Sequence, residues 1–401
     1  MNLRLLAMLF AVSALVFTAC DDDEPIVIDE PDPVDESTII LRENITSDAT
    51  WTSDKIYILG GRITVEAGAT LTIEAGTVIK AEAGTGANAT ALLVARDATL
   101  LAEGNADAPI IFTSIADEIT PEDVAAGNFA SPNLDPDING LWGGIIVLGN
   151  ATISASNESD EDVSEVQIEG IPTSDTNGLY GGTDDADNSG TISHISIRHG
   201  GANIGAGNEI NGLTLGGVGS ATTINNIEVV ANQDDGIEWF GGTVSVSDAV
   251  VWNAGDDAID SDQSWAGTLD NFFVVTPNGS CFELDGPEGS YLARHTIQNG
   301  TIVANANGRE TTGLLLDTDS STPVDMKNVH FAGPFVDGQF VTDDEVDAAT
   351  FENVTFDVAD INILMEAGTV PAGISAGGSP VADKSGLGWT WAATIGGLDG
   401  L

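Results

Sequence analysis

The chain has 401 residues, with 63 Asp and Glu against 11 Lys and Arg and a formal net charge of -52. A field this negative repels phosphate backbones and anionic lipid surfaces, so nucleic acid is excluded as a partner and electrostatic membrane docking is disfavoured. Hydrophobic residues still make up 42% of the chain, enough for a full core, so the acidity does not mark general disorder.

The first element is a targeting segment. Arg4 precedes an apolar run from Leu5 to Ala19, broken by Ser13 and Thr18. The run is short for a transmembrane helix and has the form of a signal peptide, residues 1–19. It ends in Phe17-Thr18-Ala19-Cys20, which resembles a bacterial lipoprotein lipobox, with Phe17 where Leu is commoner. The resemblance implies lipidation of Cys20. The following Asp21-Asp22-Asp23-Glu24 resembles the acidic export signal of surface-exposed lipoproteins in some Gram-negative bacteria. The expected location is the outer membrane, surface-exposed, with the lipid anchor as the sole membrane contact. Residues 20–36 are rich in Pro and acid and read as an extended, self-repelling tether. If Cys20 carries lipid, Cys281 is left without a disulfide partner.

Residues 37–360 form a repeat array. Seven segments share an apolar residue followed two positions later by Asn, Asp or His. They begin at Ile192, Ile224, Val246, Leu269, Ile297, Met326 and Phe351, spaced 32, 22, 23, 28, 29 and 25 apart. The polar positions are His194, Asn226, Asp248, Asn271, Asn299, Asn328 and Asn353. A second echo aligns Val229-Val230-Ala231-Asn232 with Val250-Val251-Trp252-Asn253, which places Trp252 at the position of Ala231. A third aligns Asp235-Gly236-Ile237-Glu238, Asp257-Ala258-Ile259-Asp260 and Ser280-Cys281-Phe282-Glu283. Upstream, Ala69-Thr70-Leu71 recurs as Ala98-Thr99-Leu100.

Short alternating strands broken by a polar turn once per coil predict stacked parallel strands. Asn tolerates the left-handed region and can bond its counterparts above and below, which suits such a turn. The pattern resembles the pectin-lyase-like superfamily. That resemblance implies an all-β, right-handed, single-stranded parallel β-helix solenoid. Residues 114–140 and 155–188 interrupt the period as long loop insertions, and residues 361–401 lose it, reading as a C-terminal cap over the last coil's edge.

The sharpest chemical cluster is acidic. Asn232-Gln233-Asp234-Asp235-Gly236 is followed by Gly255-Asp256-Asp257-Ala258. The period stacks Asp235 on Asp257 and Glu238 on Asp260, about 5 Å apart at Cα. Such carboxylates must bind a cation, share a proton or splay into water. The cluster resembles the first two motifs of polygalacturonase-type glycoside hydrolases, with Asp257 as general acid and Asp235 and Asp256 activating water. The later motifs do not follow: Pro277-Asn278-Gly279-Ser280 stands where Gly-His-Gly is expected.

Calcium has separate support. Asp135, Asp137 and Asn139, before Gly140, and Asp185, Asp187 and Ser189, before Gly190, place oxygen ligands at alternate positions ahead of a Gly turn. Ordinary Asx turns explain them equally well. Trp239 and Trp265 follow the acidic turn on neighbouring coils and, if outward, could stack on sugar rings beside Glu238 and Asp260. The resulting reading is a surface-anchored, non-catalytic binding or adhesion protein for glycan or another surface polymer, with Ca²⁺ as the one cofactor considered. A glycoside hydrolase and a structural surface spacer are the alternatives.

Overall fold

The computed structural model describes residues 37–203, 210–306, 308–319, 321–336, 338–341, 348–365 and 369–401. The signal segment, Cys20 and the acidic tether lie outside the described residues.

Two parallel sheets carry the body. The long sheet runs from Thr38–Leu41 through Gly190–Arg198, Thr223–Val230, Val246–Trp252, Thr268–Val275, His295–Val303 and Val324–Ala332 to Ile374–Ala376. The short sheet stacks Arg62–Val65, Ala91–Val94, Ile145–Leu148, Leu213–Gly216, Ile237–Phe240, Ile259–Asp262, Phe282–Leu284 and Asp317–Thr318.

All seven polar turn positions take a positive φ, between 50° at His194 and 58° at Asp248 and Asn299. They bend the long strands rather than end them. Gly190–Arg198 shows why: before His194 it pairs with Thr99–Glu103, and after His194 with Ile110–Ser114. One bent strand therefore continues two separate strands of the earlier coils. Side-chain amides link some of these turns, as Asn353 donates to Asn328 at 2.8 Å and Asn328 to Asn299 at 2.7 Å. The ladder is not continuous, because Asn299 donates to Asp270 and Asn226 to Asn225.

The register of the first echo follows the spacing, with Ile192 beside Ile224, Ile224 beside Val246 and Val246 beside Leu269. The second echo is shifted by one. Val230, not Ala231, sits beside Trp252. The left-handed residues there are His199, Ala231, Asn253 and Thr276. Each follows its first turn by five residues, so constant strand length, not the matching of Asn232 to Asn253, sets the alignment.

Inward side chains fill the coil. Trp239 and Trp265 stack at 4.4 Å, and Trp265 stacks on His295 at 5.0 Å. Further along, Phe282, Phe331 and Phe356 form a second aromatic file. Phe272 packs edge-on to Phe282, and Gly300 makes room for it, since a Cβ there would overlap the Phe272 ring.

The 114–140 insertion opens with a short helix, Pro121–Ala125, capped reciprocally by Thr120 and Asp123. The 155–188 insertion folds as two small antiparallel pairs, Ala155–Ser156 with Asp162–Val163 and Val166–Gln167 with Leu179–Tyr180. The expected C-terminal cap is only partly what the tail does. Ile374–Ala376 extends the last edge, but the following residues run back along the outer face of the long sheet. There Leu387, Trp391 and Leu398 bury Val230, Val250, Trp252, Phe273 and Val275. An apolar sheet face this broad needs a cover more than the last coil needs a plug.

Candidate functional site

Strand alternation aims the side chains of the short sheet. In Ile237–Phe240, Ile237 and Trp239 point into the core, so Glu238 and Phe240 point outward. Register then places Thr214, Glu238, Asp260, Glu283 and Asp317 side by side across five successive strands. Neighbouring strands lie roughly 4.8 Å apart, so four carboxylates form a column on one face.

The column opens on a cavity of about 530 Å³. Glu238, Asp260, Glu283, Asp262 and Phe240 form its floor, and Gln167, Glu169 and Tyr180 of the second insertion form a wall. Among the described residues, no Lys or Arg lines it. Tyr180 packs against Phe240 and donates to Gln263 at 2.9 Å, and Gln263 donates to Glu288 at 3.1 Å.

Burial without counter-charge shows in the proton affinities. Burial, then the neighbouring carboxylates, hold Asp235, Glu238 and Asp260 well above the usual carboxylate range. Burial and Glu288 push Asp262 up to about 7. A hydrogen bond with Asp257, followed by burial, pushes Glu283 up to about 9.

One carboxylate oxygen each from Asp235, Glu238 and Asp260 lies within 4.8 Å of the others. All three residues are buried. Asn211, fully buried beside them, donates its amide to Glu238 and to Thr214. Asp260 Oδ1 and Asn211 Oδ1 have no hydrogen-bond partner although both are shielded from water. An all-oxygen donor set with unfilled acceptors fits a hard cation. The residues that could hold it are therefore Asp235, Glu238 and Asp260.

The hydrolase triad is placed differently. Asp235 Oδ1 accepts the backbone amide of Asp257 at 2.9 Å, and Asp257 Oδ1 accepts the backbone amide of Ser280. Gly279 permits this approach, since a Cβ there would overlap the carboxylates of Asp256 and Asp257. Asp256 is exposed. None of the three lines the acidic cavity. The structure thus brings Asp235 together with Glu238 and Asp260, and uses Asp257 to cap a turn.

Trp239 and Trp265 are 0% and 1% exposed and belong to the core, so neither offers a face to a sugar. On this strand Phe240, not Trp239, reaches the cavity, where it meets Tyr180. Strict alternation is the signal that identifies it: if Glu238 is outward, Trp239 is inward and Phe240 outward again.

Of the two calcium-like loops, the second spends its oxygens on the chain. Asp185 accepts the amide of Thr152 at 2.9 Å, and Asp187 accepts that of Asn150 at 3.2 Å. The Ser189 hydroxyl points to the Leu148 carbonyl at 3.5 Å. Asn139 donates to the Asn232 carbonyl at 3.4 Å. Asp137 lies 3.8 Å from Arg309, and Asp135 lines a different cavity. Asp185, Asp187 and Ser189 thus fasten their loop, and the cluster of three carboxylates among the described residues is the buried trio.

A family model described as a pectate-lyase-like β-helix domain matches residues 43–128 and 129–375. The chain belongs to that family. The chain is also similar to a solved structure, the crystal structure of the pectin methylesterase from Aspergillus niger in deglycosylated form. Identity is 12%, the match covers 86% of this chain and 87% of that one, and the TM-score is 0.35. The curated proteins contain no match.

Proposed function

We propose that this pectate-lyase-like β-helix protein is a surface-anchored, non-catalytic binding protein whose acidic cavity takes up Ca²⁺ and, through it, a glycan or another hydroxyl-rich surface polymer. The observation that carries the reading is the trio of Asp235, Glu238 and Asp260 with the unpartnered Asp260 Oδ1 beneath an open cavity. Ca²⁺ seeks six to eight oxygens. Three carboxylates leave positions that water or ligand hydroxyls fill, and Phe240 supplies an apolar surface at the cavity floor. Without a cation, the cavity favours uncharged ligands over polyanions.

The hydrolase alternative has less support in the geometry. Inverting hydrolysis needs two carboxylates facing each other across room for water and a sugar. Asp235 and Asp257 each accept a backbone amide, and the carboxyl group that Asp257 meets, Glu283, is in hydrogen-bond contact with it. The anchor reading rests on Cys20 and its flanking sequence. Palmitate incorporation in the wild type and its loss in Cys20→Ala would support it.

The functional reading is tested by a glycan array read with Ca²⁺ and with EDTA, alongside a hydrolysis assay on the bound glycans. Calcium-dependent retention with no product is expected. Product formation that Asp257→Asn abolishes would replace this reading with the hydrolase.

A further inference from the structure

A second cavity, of about 320 Å³, shares no lining residue with the acidic one. The 114–140 insertion contributes Asp135 and Asp137, the second turn of the long sheet contributes Trp252 and Thr276, and the small hairpin of Asn305–Ala306 with Arg309–Glu310 contributes Arg309. The wall is tied down. Asn253 donates to the Pro136 carbonyl at 2.8 Å and accepts from Thr276 at 2.5 Å.

Arg309 is the informative residue. Arg294 and Lys327 are engaged by Asp325 at 2.8 and 3.1 Å, and Arg198 is fully buried away from solvent, its Nε donating to Ser196 at 2.7 Å. Arg309 Nη1 stands 3.8 Å from Asp137 Oδ2, beyond hydrogen-bond length, and its shielded Nε has no acceptor. A guanidinium Nε shielded from solvent favours a ligand oxygen as its acceptor.

The chemistry of the lining selects that oxygen. A carboxylate would satisfy Arg309 but meet Asp135 and Asp137, and an ammonium would satisfy the two Asp but meet Arg309. A hydroxyl both donates and accepts, so it can give its proton to Asp137 and receive one from Arg309. Trp252, 8% exposed, adds a small apolar contact for the C–H groups of a sugar. The volume is at the lower end of small-molecule sites. We infer that the Asp137–Trp252–Arg309 cavity is a binding subsite for neutral saccharides, working without a cation and separately from the acidic cavity.

The test is a titration of the full chain in EDTA with cello-, manno- and galacto-oligosaccharides and with matched oligouronates, followed by calorimetry and tryptophan fluorescence. Asp137→Ala and Arg309→Met are compared with the wild type, with circular dichroism checking the fold of each; both side chains are partly exposed. At least one neutral series is expected to bind, and each variant to weaken it about tenfold or more. Binding of the uronates in preference, no neutral binding by the wild type, or equal binding by both folded variants would overturn the assignment. Because EDTA is present throughout, none of these outcomes bears on the cation reading of the other cavity.

Discussion

Asp235 accepts the backbone amide of Asp257, one coil on, at 2.9 Å, and Asp257 passes the same contact to Ser280. Two residues that sequence likeness assigns to water activation and to acid catalysis are here turn caps repeated from coil to coil. Asp235 belongs to both systems, since one of its carboxylate oxygens also lies within 4.8 Å of those of Glu238 and Asp260.

The cap makes a stability prediction. Asp257→Ala leaves the Ser280 amide without its acceptor and should cost about 1–3 kcal/mol. Asp257→Asn keeps an acceptor oxygen and should cost less. Urea denaturation reads both, and an Ala variant as stable as the wild type would contradict the capping role.

The acidic cavity predicts an unusual pH profile. Folded Asp262 and Glu283 hold their protons to about 7 and about 9, whereas unfolded carboxylates release theirs near about 4. The folded chain therefore binds more protons between those limits. This contribution to stability is complete at low pH and is lost as pH rises through 7 for Asp262 and 9 for Glu283. In EDTA, Tm should fall as pH rises from about 5 to about 9, and Ca²⁺ should flatten the slope. A Tm that rises over the same range in EDTA contradicts the cluster's electrostatics.

Trp239 and Phe240 are adjacent and predict opposite phenotypes. Trp239→Ala empties a fully buried site and should cost about 3–5 kcal/mol. Phe240→Ala should weaken glycan retention with a smaller loss of stability, because its ring lines the cavity. Denaturation and array retention measured on both variants separate the roles, and a swap of the two phenotypes would reverse the assigned orientation of the strand.

The tail should respond to acid. Trp391 packs edge-on to His199 at 5.6 Å and beneath the Arg198 guanidinium at 5.0 Å, while the Ala392 amide donates to buried Glu228 at 2.9 Å. His199 Nδ1 contacts the Ile138 carbonyl, and burial lowers the affinity of the ring for a proton, with Arg198 adding to that and Asp117 opposing it. Releasing the tail would hydrate the ring, so the released state binds the proton more tightly. Docking is then at full strength above the ordinary histidine value of 6.5 and weakens below it. Hydrogen-exchange protection factors over residues 381–401, corrected for the intrinsic pH dependence of exchange, should fall between about pH 7.5 and about pH 5, and His199→Gln should remove that fall. Equal protection factors at both values contradict the coupling.

The coil architecture was legible because backbone geometry repeats in the sequence. His194 through Asn353 mark one left-handed bend per coil, and Asn, Asp and His tolerate that bend at little cost. The second turn was misread by one position because Ala231, Asn253 and Thr276 share a conformation without sharing a side chain. The carboxylate column was half visible: period stacks Glu238 on Asp260, but the wall built by Glu169 and Tyr180 comes from an insertion with no repeat to place it. Trp239 was misdirected by its neighbour's chemistry, although period-two alternation forbids Glu238 and Trp239 from sharing a face. The backward course of the tail has no periodic signal, since its partners Glu228 and Trp252 lie more than a hundred residues upstream.

The central claim is that Asp235, Glu238 and Asp260 hold a divalent cation. Calorimetric titration of the full chain with CaCl₂ tests it directly, comparing the wild type with a folded Glu238→Gln/Asp260→Asn variant. The account predicts a saturable site in the wild type and its loss in the variant. No saturable binding by the wild type at millimolar calcium, or identical binding by both, would contradict it.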